Sequence, residues 1–206
     1  KLGASHAINI TLEEADIYAT VTGGDNDIVK NIENVIGTAG ADTIVGNSSN
    51  NTLIGGAGND IIKGVAGNNK LYGGDGNDTI YSGTGNDIIN GGSGSGEENT
   101  VHYGEAISGV TVDLSNSLAQ TVGGGMGVDT LVDIQNVVGS AYDDLFYTDY
   151  TKSNKFDGGT NTNSVNGDTV SYANLKADLN GLNYTGDAVF DNIFMDLANI
   201  NGGYSS

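Results

Sequence analysis

One hydrophobic position governs the middle of this chain. Across residues 37–90 an Ile or Leu recurs every ninth residue: Ile44, Leu53, Ile62, Leu71, Ile80 and Ile89. Val35 extends the series one step upstream. Cut at this period, the sequence reads GTAGADTIV, GNSSNNTLI, GGAGNDIIK, GVAGNNKLY, GGDGNDTIY and SGTGNDIIN, and the pattern then fails at GGSGSGEEN. Each unit opens on glycines, which permit positive φ and close backbone approach, so a tight turn is predicted there. Each closes on a short β-rich triplet such as TIV or IIK. Strand side chains alternate between faces, so only the eighth position of each unit is predicted to point inward. A fixed internal period of this kind marks a solenoid, in which each unit buries its apolar side chain only by stacking on neighbours.

Two matches carry a resemblance to a known family. GGAGNDIIK (55–63) and GGDGNDTIY (73–81) fit every fixed position of G-G-x-G-x-D-x-U-x, the pattern of the RTX, or hemolysin-type, calcium-binding repeat. The resemblance is specific over 37–96 and looser over 8–36 and 97–202, where IENVIG and DTVxY patterns are shared by proteases, epimerases and adhesins of this kind. It implies an all-β fold, a right-handed parallel β-roll whose successive nonapeptides alternate between two sheets. Calcium would lie between stacked turns at each edge, with the chain exported by type I secretion.

If two units complete one coil, residues eighteen apart become neighbours, and position 6 divides into two series. One edge carries Asp42, Asp60 and Asp78; the other carries Asn51, Asn69 and Asp87. Carboxylates at one strand spacing repel, by roughly 4 kcal/mol for unit charges at 4 Å and an effective dielectric near 20. A bridging dication reverses that sign, and Ca²⁺ accepts six to eight oxygens, backbone carbonyls among them. Two calcium sites are predicted on the first edge, Asp42/Asp60 and Asp60/Asp78. The resemblance adds carbonyls from Gly55, Ala57, Gly73 and Asp75 to them. On the second edge one weak site near Asp87, or none, is expected, because Asn brings no charge and Val65 and Ser82 replace turn glycines.

The rest of the chain echoes the first part. Residues 8–45 align with 110–147 at a constant offset of 102, with Asp27/Asp129, Ile32/Ile134, Asn34/Asn136, Val35/Val137 and Asp42/Asp144 identical. NTVHY (99–103) matches DTVSY (168–172), and DLANING (196–202) repeats the lead-in once more. The predicted organisation is a lead-in β segment capping the roll (1–36), the calcium roll (37–96), a connecting β segment (97–138), a short degenerate roll (139–172) and the start of a third repeat or a C-terminal cap (173–206). In the second roll GSAYDDLFY fits, with a further calcium expected near Asp144, and TDYTKSNKF fits only with slippage. The ending at GGYSS reads as either a cut from a longer array or a cap.

Composition narrows the partners. The net charge is −19, from 26 acidic and 7 basic residues. That argues against nucleic acid and anionic membrane and favours cations. Gly reaches 34 of 206 and hydrophobic residues only 37%, a balance that often marks disorder, but disorder would not hold a nine-residue register. No apolar run is long enough for a membrane span, and no basic stretch followed by an apolar one opens the sequence. The absence of Cys leaves no disulfide framework.

Signs of catalysis are weak. There are two histidines, His6 and His102, with no H-E-x-x-H helix and no G-x-S-x-G elbow. The pair Glu97–Glu98 is read as a solvated edge, or as a substitute for the Asp missing at Gly96, the sixth position of its unit. Tyr72 and Tyr81, at position 9, should face outward, as a sugar- or protein-binding strip or a packing surface. The expected function is a non-catalytic calcium-binding module of a secreted, cell-surface bacterial protein, adhesin-like. Such a module would be a monomeric part of a longer chain, with calcium as its cofactor and polysaccharide or protein as any further ligand. The alternative is the accessory C-terminal module of an extracellular protease, lyase or alginate epimerase. An ice-binding face is disfavoured, because the outward Thr43, Thr52 and Thr79 are interrupted by Ile61, Lys63 and Lys70.

Overall fold

The computed structural model describes residues 6–14, 18–23, 27–149, 151–160 and 167–171. The third lead-in at 196–202, the segment 173–206 and Tyr172 lie outside the described residues. The described residues are all-β, and their strands are mostly parallel.

The units alternate between two sheets. The first stacks Asn9–Thr11, Thr43–Val45, Ile61–Lys63, Thr79–Tyr81, Thr100–His102, Asn136–Val138 and Lys155–Asp157 in parallel. Tyr18–Thr22 and Asp27–Lys30 extend it antiparallel beyond Asn9–Thr11. The second stacks Asn34–Ile36, Thr52–Ala57, Lys70–Asp75, Ile88–Asn90 and Val128–Val132 in parallel, with Gln120–Thr121 antiparallel at its end. A smaller sheet joins Thr111–Asp113, Leu145–Tyr147 and Thr169–Ser171.

The predicted inward positions form the core. Ile44, Ile62, Ile80 and Val101 sit in register on one sheet, and Val35, Leu53, Leu71, Ile89 and Leu131 on the other. Each is buried. One inward side chain per nine residues makes this core only one residue wide between the sheets. Past the sixth unit a broader cluster closes the end, where Tyr103, Ala106, Val110, Val112, Val122, Met126 and Phe146 pack together. In the slipped segment 148–156 Phe156, rather than Lys155, pairs with the inward Val137 and stacks on Phe146 at 5.3 Å.

One expectation needs correction. Residue 96 does not occupy the sixth position of its coil. The turn lengthens by three residues, so Asn99 takes that place and Val101 the inward one, paired with Ile80. Glu98 is exposed and Glu97 half-buried. Glu97 accepts the N–H groups of Gly76 (2.8 Å) and Gly94 (2.5 Å), and Glu98 pairs with Lys155. Tyr103 is wholly buried. Both main sheets also run through residue 97 without a break, as Thr100–His102 and Val128–Val132 stack directly on the roll.

Candidate metal centre

Each edge of the roll is held by a ladder of sixth-position side chains. On the first, the N–H of Asp42 donates to Asp60 Oδ1 (2.7 Å), that of Asp60 to Asp78 Oδ1 (2.8 Å), and that of Asp78 to Asn99 Oδ1 (2.9 Å). On the second, Asn51 donates to Asn69 Oδ1 (2.8 Å), Asn69 to Asp87 Oδ1 (2.7 Å), and Asp87 to Asp129 Oδ1 (2.9 Å). A second ladder runs the opposite way one residue earlier. Asn59 Oδ1 accepts the N–H of Asn77 (2.9 Å), and Asn68 Oδ1 accepts that of Asn86 (2.9 Å). This fifth-position ladder uses neutral amides and needs no ion.

The sixth-position carboxylates have a second oxygen, and its surroundings differ between rungs. Oδ2 of Asp60, of Asp78 and of Asp87 is buried with no hydrogen-bond partner. An ionised oxygen left so is strongly disfavoured, unless a cation meets it. Carbonyl oxygens converge beside it. A methyl group built on Gly55 would stand 2.1 Å from Asp60 Oδ2 and 2.7 Å from the Gly73 carbonyl oxygen. Over Gly73 the same cradle holds Asp78 Oδ2 at 2.1 Å and the Gly91 carbonyl oxygen at 2.5 Å. Only glycine leaves that space open.

Asn69 shows what such a cradle accepts. Its Nδ2 donates to the carbonyls of Gly64 (3.3 Å), Ala66 (3.1 Å) and Gly67 (3.2 Å), the first, third and fourth residues of its own unit. An N–H donor satisfies them there. In the unit of Asp60 the corresponding residues are Gly55, Ala57 and Gly58, and the ionised Asp60 side chain has no donor to offer their carbonyls. This chemistry, orphan carboxylate oxygen beside carbonyl oxygens, fits Ca²⁺. Among the described residues no three His, Cys, Asp or Glu side chains converge on one point, so any cation here is held largely by backbone oxygens.

The other predicted residues divide. Asp42 Oδ2 accepts the Thr38 N–H (2.5 Å), and its Oδ1 accepts the Ile8 N–H (2.6 Å). Asp144 is held likewise by Ser140 N–H (2.7 Å) and Val110 N–H (2.8 Å). Both carboxylates therefore have donors that Asp60 and Asp78 lack. The Gly55 carbonyl lies beside Asp42 Oδ2 over Gly37. The Asp75 carbonyl is engaged by the Gly58 N–H at 2.8 Å. His6 is exposed, and His102 stacks on Tyr81 at 4.5 Å, with Lys63 Nζ over the other ring at 4.6 Å.

Burial raises the carboxyl groups. Asp60 is pushed up to about 7, chiefly by desolvation, against the Asp42 N–H and with added repulsion from Asp78 and Asp42. Asp78 and Asp87 rise to about 6 for the same first reason. Asp129 rises to about 7, although it accepts the Asp87 N–H and the Tyr103 hydroxyl (2.9 Å).

Asn99 and Asp129 were not foreseen as ladder members. Asp129 had a signal: GGMGVDTLV (124–132) fits every fixed position of the repeat. It was masked because Asp129 follows Asp87 by 42 residues instead of eighteen. Asn99 follows Asp78 by 21, in a unit without the motif's acid.

The profile of the RTX calcium-binding nonapeptide repeat, in four copies, matches residues 36–71 and again 63–97. No curated protein matches the chain. With the stacked turns, the Gly cradles and the sixth-position ladder in place, residues 36–97 are RTX calcium-binding nonapeptide repeats, units that bind calcium ions.

Proposed function

We propose that the chain is a non-catalytic module of a secreted bacterial RTX protein that folds on extracellular calcium, most simply as part of an adhesin-like surface protein. The observation that carries this reading is the row of buried, partnerless carboxylate oxygens on Asp60, Asp78 and Asp87. Calcium, when bound, supplies the positive charge that these oxygens lack. Asp60 and Asp78 would hold it on one edge with carbonyls of Gly55, Ala57, Gly58, Gly73 and Gly91. Asp87 would hold it on the other. Asp42 and Asp144, already bonded by Thr38 and Ser140, would be the weaker contributors.

The ladder residues define the coupling. Each sixth-position Asp both fixes the neighbouring rung and presents its second oxygen to the turn, so rung stacking and ion binding form one equilibrium. Where calcium is scarce the buried carboxylates oppose stacking. Near-millimolar calcium, in the range where extracellular sites bind with Kd of about 10⁻⁴–10⁻³ M, favours it by mass action. A chain that stays unfolded inside the cell remains fit for export. Circular dichroism of the chain with calcium and with excess chelator tests this. A roll that keeps its full β signal in chelator overturns it.

A further inference from the structure

The second copy of the internal repeat stacks on the end of a roll; in the first copy the corresponding strands are the last of their sheets among the described residues. In the second copy, Val128–Val132 pairs with Ile88–Asn90, and Asn136–Val138 pairs with Thr100–His102. The residues at the offset of 102 are 26–30 and 34–36. There, Asp27–Lys30 and Asn34–Ile36 are the terminal strands of their sheets among the described residues.

Exposure follows the same division. Ile134 is 4% exposed and its counterpart Ile32 39%. Asp129 is fully buried, with Oδ1 accepting the Asp87 N–H, while Asp27 is exposed. Ile28 and Ile36, at 69% and 74%, stand where the second copy has the half-buried Thr130 and Val138. The turn between the two strands is nonetheless already shaped. Asn31 has φ 55° and its counterpart Asp133 φ 52°, a left-handed geometry uncommon outside glycine. Terminal strands that carry exposed apolar side chains are templates for further pairing.

We infer that the face formed by Asp27–Lys30 and Asn34–Ile36 receives the end of another copy of this calcium roll, stacked head to tail. The incoming strands would be the counterparts of Ile88–Asn90 and Thr100–His102. Asp27 would then accept the N–H of the incoming sixth-position Asp, as Asp129 does from Asp87, and Ile32 would be covered as Ile134 is. Repeated, the arrangement makes a continuous rod in which the ladder passes from copy to copy.

The test lengthens the chain by placing residues 1–102 in front of the full sequence, which keeps the 102-residue register. Amide hydrogen exchange is followed in saturating calcium for both chains. At 27–30 and 34–36 of the original copy, exchange is expected to slow by roughly tenfold or more relative to the unextended chain. Ile32→Asp in the original copy should leave the unextended chain's melting temperature nearly unchanged and abolish the added protection in the extended one. Unchanged exchange across that face overturns the inference. The stacking rests on the calcium reading only for folding of the added roll, and the same data separate the two. Calcium-dependent protection within residues 43–90 of the added copy, with the face unchanged, leaves the calcium reading standing and the stacking refuted.

Discussion

The backbone N–H of Asp60 donates to Oδ1 of Asp78 at 2.8 Å, eighteen residues further along the chain. One carboxylate oxygen thus replaces a turn's missing backbone partner, and the other is left facing the turn with no donor. The consequences of that division can be measured.

Asp60→Asn keeps the oxygen that accepts the Asp42 N–H and introduces an amide able to satisfy its own turn carbonyls, as Asn69 does. Calcium affinity is expected to fall roughly tenfold, about 1.4 kcal/mol, while the metal-free chain gains residual β structure. Asn69→Asp should do the reverse on the opposite edge. Isothermal titration of calcium and circular dichroism in chelator check both directions. Unaltered calcium binding by Asp60→Asn would contradict the assignment of that edge.

The pH dependence of the metal-free chain has a definite sign. Burial raises Asp60 and Asp129 to about 7 and Asp78 and Asp87 to about 6, from 3.8. A carboxyl group with a raised folded pKa binds more protons folded than unfolded. Its neutral form costs nothing below pH ~4, and stability is lost as pH rises through 6 to 7. Metal-stripped protein should therefore retain more β structure at pH 5 than at pH 8, and calcium should bind more weakly at pH 5 because protons compete. Circular dichroism in chelator at the two pH values decides it; a stronger β signal at pH 8 without metal would be the wrong sign.

Gly55→Ala puts a methyl group 2.1 Å from Asp60 Oδ2. Overpacking of this kind typically costs about 1–3 kcal/mol, and here it also fills the cradle, so calcium-dependent folding should weaken together with stability. Gly104→Ala is the matched control. It lacks positive φ, and its nearest new neighbour is 3.8 Å away, so its melting temperature should stay within about a degree or two.

Val65 stands where most units have glycine, at φ 69° and 42% exposed. A β-branched residue in that region carries strain on the order of 1–3 kcal/mol, reduced by the entropy that glycine loses on folding. Val65→Gly is expected to stabilise the calcium-loaded chain by about 1 kcal/mol, read as a higher denaturant midpoint at constant slope. A destabilised variant would show that the Val65 side chain contributes packing that outweighs the strain.

The nine-residue period, the alternation of sheets, the inward ladder from Val35 to Ile89 and the split of position 6 into an Asp edge and an Asn edge were all legible along the chain. Each rung repeats the same local turn and strand, so sequence spacing and spatial spacing coincide. The tertiary structure decided where that coincidence ends. Asn99 and Asp129 join the ladders across 21 and 42 residues, because rung spacing is set by interstrand hydrogen bonds near 4.8 Å, while the loops that feed the rungs can lengthen freely at the surface. It also decided which acids lack partners. Asp42 and Asp60 look alike in sequence, but Thr38 closes on the first and only open glycine backbone faces the second.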